Sequence, residues 1–140
     1  MNDINHEYTQ SLDQVEAMRD DAEKMLRAIA QGQTFTVTKS AWWDEKNQCG
    51  CPITVMADFA DRDMPEKHKR NEIAIENHME SNYGSWVLHK LLSQTPTPRD
   101  YNFAENWDEG FYPTLTDMMI DIHKKMTARA ESMRLLETTE

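Results

Sequence analysis

The sequence predicts an α+β fold in which an antiparallel β-hairpin, or a three-stranded sheet, is covered by three to four helices. Residues 33–59 form the only stretch in which apolar and polar side chains alternate with a period of two, which is typical of half-buried strands. On both sides of this stretch, apolar residues recur three and four positions apart, which is typical of amphipathic helices. Because a two-stranded ribbon alone is marginally stable in water, helices are needed to cover its apolar face.

The odd-numbered positions of the predicted hairpin form its apolar face. They are Phe35, Val37, Ala41, Trp43, Cys51, Ile53, Val55, Ala57 and Phe59, with Lys39 as the exception. Folding the two halves about the polar residues 44–48 sets Phe35 opposite Phe59. Pro52 lacks an N–H group and belongs at a strand start or an edge. Trp42 falls on the opposite, threonine-lined face, where a helix, a second subunit or a partner is expected to cover it.

The remaining chain predicts the order helix, strand, strand, helix, helix, loop, helix. The expected helices span about residues 6–31, 64–82, 85–93 and 114–136. The segment 85–93 is apolar nearly all round and is expected to be deeply buried, whereas residues 99–113 form the longest irregular segment. Because the sequence contains no internal repeat and no linker, we expect residues 1–140 to form one compact domain.

The charge balance indicates the class of partner. The formal net charge is -10 and the isoelectric point is about 4.9. Such a chain repels phosphate and anionic lipid, so we expect no direct binding to nucleic acid or to a membrane, and we expect a protein partner with a basic surface. The two cysteines are separated by a single residue and cannot build a disulfide framework. The first residues do not resemble a signal peptide. These features favour the cytoplasm.

No motif in the sequence predicts a catalytic residue, a cofactor or a metal. Cys49 and Cys51 lack the second ligand pair of a structural zinc site. The chain has four glycines, and none lies in a phosphate-binding loop. We therefore expect a non-enzymatic protein with no cofactor and no bound metal, and the glycine pattern excludes nucleotide binding through a P-loop or a Rossmann turn.

One cluster of titratable residues keeps an enzymatic alternative open, namely a small metal-assisted hydrolase. The cluster consists of His68, Glu72, Glu76 and His78 on the predicted helix 64–82. Its spacing matches neither the His-Glu-x-x-His motif nor the Glu-x-x-His pairs of di-iron bundles. A solvated acidic helix face is the simpler interpretation.

Two features point to protein binding. Four acidic residues recur three or four positions apart on the polar face of the first helix: Asp13, Glu16, Asp20 and Glu23. Neighbours at this spacing lie roughly 5–6 Å apart, comparable with the repeat of phosphate charge along a nucleic acid strand. The second feature is the aromatic and acidic loop, with Trp107 beside Asp108 and Glu109. Trp107 is expected either to anchor an interface or to plug the open face of the hairpin.

The sequence therefore predicts a small, acidic, non-enzymatic protein that binds a basic protein surface. The most specific version is nucleic-acid mimicry, in which the protein inhibits a nucleic-acid-handling complex, as an anti-defence protein of a phage or mobile element would. The predicted partner-binding residues are Asp13, Glu16, Asp20, Glu23, Trp42, Trp107, Asp108 and Glu109. Besides the hydrolase, a second alternative is a structural homodimer built on the methionine-rich helix stripes. Those stripes carry Met18, Met25, Met79, Met119, Met126 and Met133.

Overall fold

The computed structural model describes residues 10–84 and 103–138, with side chains through residue 136. These residues form an α+β fold in which a two-stranded antiparallel hairpin lies amid five α-helices, which confirms the predicted fold class. The elements, in chain order, are α1 (Leu12–Ala30), β1 (Trp43–Asp44), β2 (Cys49–Gly50), α2 (Pro52–Phe59), a 3-10 turn (Lys67–Lys69), α3 (Glu72–Tyr83), α4 (Phe103–Asp108) and α5 (Leu115–Thr138).

The hairpin is much shorter than the predicted span of residues 33–59. Only two residues of each strand pair, with Trp43 opposite Gly50 and Asp44 opposite Cys49. An isolated parallel bridge joins Val37 to Gly50 and extends the contact slightly. The first half of the predicted ribbon is therefore mostly extended chain without a strand partner among the described residues.

The second half of the predicted ribbon is the helix α2, so the prediction of a strand over residues 52–59 is wrong. Pro52 begins this helix, where its missing N–H group costs no hydrogen bond. The helix is apolar on nearly every side, and a short apolar run does not distinguish a buried helix from a buried strand. The predicted contact between Phe35 and Phe59 nevertheless forms, with ring centroids 5.1 Å apart.

Capping side chains explain where two of the predicted helices begin. Among the described residues, the first helix starts at Leu12, because Ser11 and Gln14 form a reciprocal capping box. The part of the predicted helix before residue 10 lies outside the described residues. The predicted helix 64–82 is divided, because the side chain of Asn71 accepts the N–H of Ala74 and starts α3.

Of the other predicted elements, one helix agrees with the structure, the loop is corrected, and the rest lie outside the described residues. The helix predicted over 114–136 corresponds to α5. The loop predicted over 99–113 contains the short helix α4. The predicted helix 85–93 and residues 99–102 of the loop lie outside the described residues.

The core is rich in methionine and lies where α1 packs along α5, with α2 and α3 packed against α1 and against each other. Its fully buried methionines are Met18, Met25, Met56, Met79, Met118, Met119 and Met126. Unbranched thioether side chains fill irregular gaps between helices, which suits helices that meet at several angles. Most of the methionine stripes are thus inside one chain, so they are not available as the seam of a homodimer.

A buried carboxylate connects three parts of the fold. Asp21 on α1 is fully buried and accepts two hydrogen bonds from the Arg62 guanidinium, at 2.7 and 2.8 Å. The Tyr83 hydroxyl, at the end of α3, donates to the same carboxylate at 2.7 Å. Burial, followed by the neighbouring negative charge of Asp21, raises the pKa of Tyr83, so the phenol stays protonated and keeps donating.

We predict that Asp21→Asn lowers the free energy of unfolding by about 3 kcal/mol, the lower end of the range for a broken buried ion pair, because Arg62 is itself partly exposed. The matched control is Asp20→Asn, which removes the same charge from an exposed pair with Arg19 and should cost less than about 0.5 kcal/mol. Urea denaturation measures both. Equal small losses would contradict a structural role for Asp21.

Candidate functional site

A cleft of about 150 Å³ opens where the chain leading into β1 meets the start of α3 and the helix α4. Its lining residues are Ser40, Ala41, Trp42, Cys51, Glu72, Ala104, Glu105 and Asp108. The cleft brings together two of the predicted partner-binding residues, Trp42 and Asp108. Small-molecule sites usually enclose roughly 300–1,000 Å³, so this cleft suits one side chain or a small ion better than a nucleotide cofactor.

The helix α4 holds one wall of the cleft in place. Oδ1 of Asp108 accepts the N–H of Ser40 at 2.7 Å, and the Trp107 indole N–H donates to the carbonyl of Thr38 at 3.1 Å. Ser40 has a φ of 65°, a left-handed conformation that non-glycine residues rarely adopt. The Asp108 carboxylate therefore supports a strained turn directly before Trp42.

Glu72, the first residue of α3, also lines the cleft. Its Oε2 atom accepts the N–H of Trp43 at 2.7 Å, which ties the helix to β1. The nearby cation, Arg70, is engaged elsewhere: it forms a bidentate ion pair with Asp58 and lies over the Trp43 ring at 4.9 Å. The bonds to Glu72 and Asp108 thus come from neutral backbone donors, which orient these carboxylates without cancelling their charge.

Gly50 allows the backbone of Trp42 to approach closely. A Cβ atom at Gly50 would lie 2.3 Å from the Trp42 carbonyl oxygen, a distance that only a shift of the backbone could relieve. The same carbonyl accepts a hydrogen bond from the Thr54 hydroxyl at 3.0 Å. The hairpin and α2 together fix Trp42, which is partly buried against the core.

The cysteine thiols are poor candidates for chemistry at the cleft. Cys51 lies in the wall, but burial raises its pKa to about 12. Burial, and then the charge of Asp44, also raise the pKa of Cys49. Because the thiolate is the nucleophile and the metal ligand, neither cysteine is primed for either role at neutral pH.

The predicted acidic row on α1 lies apart from the cleft, since none of its four residues is among the lining residues. Three of the four have a basic neighbour: Glu16 pairs with Arg134, Asp20 with Arg19, and Glu23 with Arg27. Asp13 is exposed at the start of the helix. The four carboxylates thus lie on α1 with basic side chains among them.

The predicted loop residues have different environments. Trp107 is 7% exposed and belongs to the core, so the structure places it as a plug and not as an exposed anchor. Glu109 is exposed but does not line the cleft. Sequence reasoning did not assign Glu72 or Glu105 to partner binding; the only signal for Glu105 was its position three residues before Asp108.

The residues of the alternative hydrolase are not gathered into a site. His68 lies in the 3-10 turn, and the chain between that turn and α3 separates it from Glu72. His78 instead lies 3.0 Å from the carbonyl oxygen of Asp63. Across residues 10–84 and 103–138, no three histidine, cysteine or acidic side chains are arranged to hold a metal ion.

Comparisons with protein-family models, with curated protein sequences and with solved structures gave no significant match. Within the described part of the chain, none of the helices has the length and apolar character needed to cross a membrane.

We predict that Cys51 is alkylated by iodoacetamide at neutral pH at least about tenfold more slowly in the native protein than in the unfolded chain, because the thiol is buried and burial raises its pKa. A Cys49→Ser background isolates this thiol, and mass spectrometry follows the reaction. Alkylation as fast as in urea would reveal a reactive thiolate at the cleft.

Proposed function

We propose that this protein is a non-enzymatic binding protein that engages a basic surface of another protein through the cleft. The observation that carries the proposal is that Glu72, Asp108 and Trp42 all line the same cleft. Each carboxylate is held by a backbone N–H group, so little ordering remains to be done when a partner arrives. Aromatic residues such as Trp42 are also enriched at the centres of protein interfaces.

The charge of the whole chain supports the same class of partner. A net charge of -10 produces a negative field that attracts a basic surface and speeds its association. The same field opposes direct contact with nucleic acid or with anionic lipid. We place this activity in the cytoplasm as part of the proposal.

The more specific version of the proposal is inhibition of a nucleic-acid-handling complex, in which the acidic protein occupies a surface that otherwise binds phosphate. The spacing of the α1 carboxylates supports it, whereas the basic partners of Glu16, Asp20 and Glu23 weaken it. Under this version, the protein would act as an anti-defence factor of a phage or mobile element. The cleft proposal does not depend on it.

The test compares two double variants that remove the same charge from different surfaces. Glu72→Gln with Asp108→Asn neutralises the cleft, and the introduced amide oxygens can still accept the backbone N–H groups. Asp13→Asn with Asp20→Asn is the matched control on α1. Each tagged protein is used to capture partners from lysate, with and without nuclease and across a salt series.

We predict that the wild-type protein captures a basic protein in a salt-sensitive and nuclease-resistant manner. The cleft variant should lose tenfold or more in affinity, because removing one member of a close charge pair costs about 2–5 kcal/mol, while the α1 control should bind nearly normally. Loss of binding in the α1 variant alone would move the interface to the acidic row and contradict the cleft. Capture that disappears with nuclease would contradict direct protein binding.

A further inference from the structure

We infer that the cleft receives a single arginine side chain of the partner, with its guanidinium group stacked on Trp42 between Glu72 and Asp108. This inference rests on the proposed function and names the group that the site recognises. Its support comes from the size of the cleft, from the environment of the three described tryptophans and from the atoms that remain available on the two carboxylates.

The size of the cleft fits one slender side chain. Three of the residues that line the cleft are small, namely Ser40, Ala41 and Ala104. A volume of about 150 Å³ admits a planar guanidinium and part of its aliphatic stem. Because that stem is apolar, it can pack along the alanine walls while the charged head meets the carboxylates.

Trp42 differs from the two other tryptophans of the described residues. Trp43 has the Arg70 guanidinium over its ring at 4.9 Å, and Trp107 has the Lys39 ammonium over its ring at 5.7 Å. Within residues 10–84 and 103–136, no cation of the chain lies over the Trp42 ring. Trp42 is a lining residue of the cleft, and a ligand cation over its ring face would gain about 0.5–2 kcal/mol.

The two carboxylates each keep an oxygen for a ligand. The hydrogen bond from Trp43 uses Oε2 of Glu72, and the bond from Ser40 uses Oδ1 of Asp108. Oε1 of Glu72 and Oδ2 of Asp108 remain available as acceptors. A guanidinium has five N–H donors in a planar fork and can donate to two carboxylates while its face stacks on an indole, which the compact ammonium of lysine does less well.

The experiment titrates the full-length protein with the peptide acetyl-Gly-Ser-Arg-Ser-Gly-amide and follows the backbone amides of residues 40–43 and the Trp42 indole by NMR. The same peptide with citrulline in place of arginine keeps the shape and removes the charge. Glu72→Gln tests the carboxylate, and Glu45→Gln, an exposed acid in the β1–β2 turn outside the cleft, is the matched control. Trp42→Leu keeps an apolar side chain and removes the ring, and circular dichroism verifies its fold.

We expect the arginine peptide to cause saturable shifts at residues 40–43 and the citrulline peptide to cause none. Glu72→Gln should weaken arginine binding tenfold or more, Trp42→Leu should weaken it several-fold, and Glu45→Gln should leave it unchanged. Equal binding of the citrulline peptide, unchanged binding by Glu72→Gln, or no saturable shift would overturn the inference.

The two proposals fail in different ways. If the peptide does not bind but the cleft double variant still loses the captured partner, the cleft is an interface for something other than arginine, so the inference fails and the proposed function stands. If the peptide binds but no basic protein is captured, the site recognises arginine without the proposed partner class.

Discussion

The buried carboxylate of Asp21 is the constraint on which the rest of the structure depends. A charge without solvent contact is costly unless it is paired and hydrogen-bonded, so α1 folds in place only with Arg62 and Tyr83 beside it. Arg62 follows α2, and Tyr83 ends α3. Gln10 extends the network to the last helix, since it donates to the Tyr83 carbonyl and accepts from Arg129. The network thus links α1 to the chain after α2, to the end of α3 and, through Gln10, to α5, in addition to the apolar packing of α1 against α5.

A second arginine, Arg70, connects this helix arrangement to the cleft. Arg70 is buried, pairs with Asp58 on α2, donates to the Pro65 carbonyl and stacks on Trp43. These contacts fix the start of α3 against the hairpin, which is why Glu72 meets the backbone of Trp43. The cleft is therefore a product of the helix arrangement. The cation nearest in sequence to Glu72, Arg70, is paired with Asp58 and does not neutralise the Glu72 carboxylate.

The fold was more predictable than the site, for physical reasons. The long periodic patterns of α1 and α5 identify helices directly, since each repeats its apolar stripe over many turns. The apolar run after Pro52 carries no such signal: it alternates as a strand would, yet buries nearly every side as α2. The cleft could not be predicted from spacing, because its walls come from residues 40–42, Glu72 and residues 104–108, which only tertiary packing brings together. The sequence predicted that a helix, a second subunit or a partner covers Trp42, and in the structure Trp42 is one of the residues that line the cleft.

The central claim is that the cleft is the surface that a basic partner contacts. Hydrogen exchange of the protein, alone and bound to its captured partner, tests this most directly, because protection reports where the complex excludes water from backbone amides. We predict that the partner slows amide hydrogen exchange at residues 38–44, at the start of α3 and along α4. Exchange in residues 12–24 of α1 should be unchanged. Protection confined to α1, with the cleft exchanging as in the free protein, would contradict it.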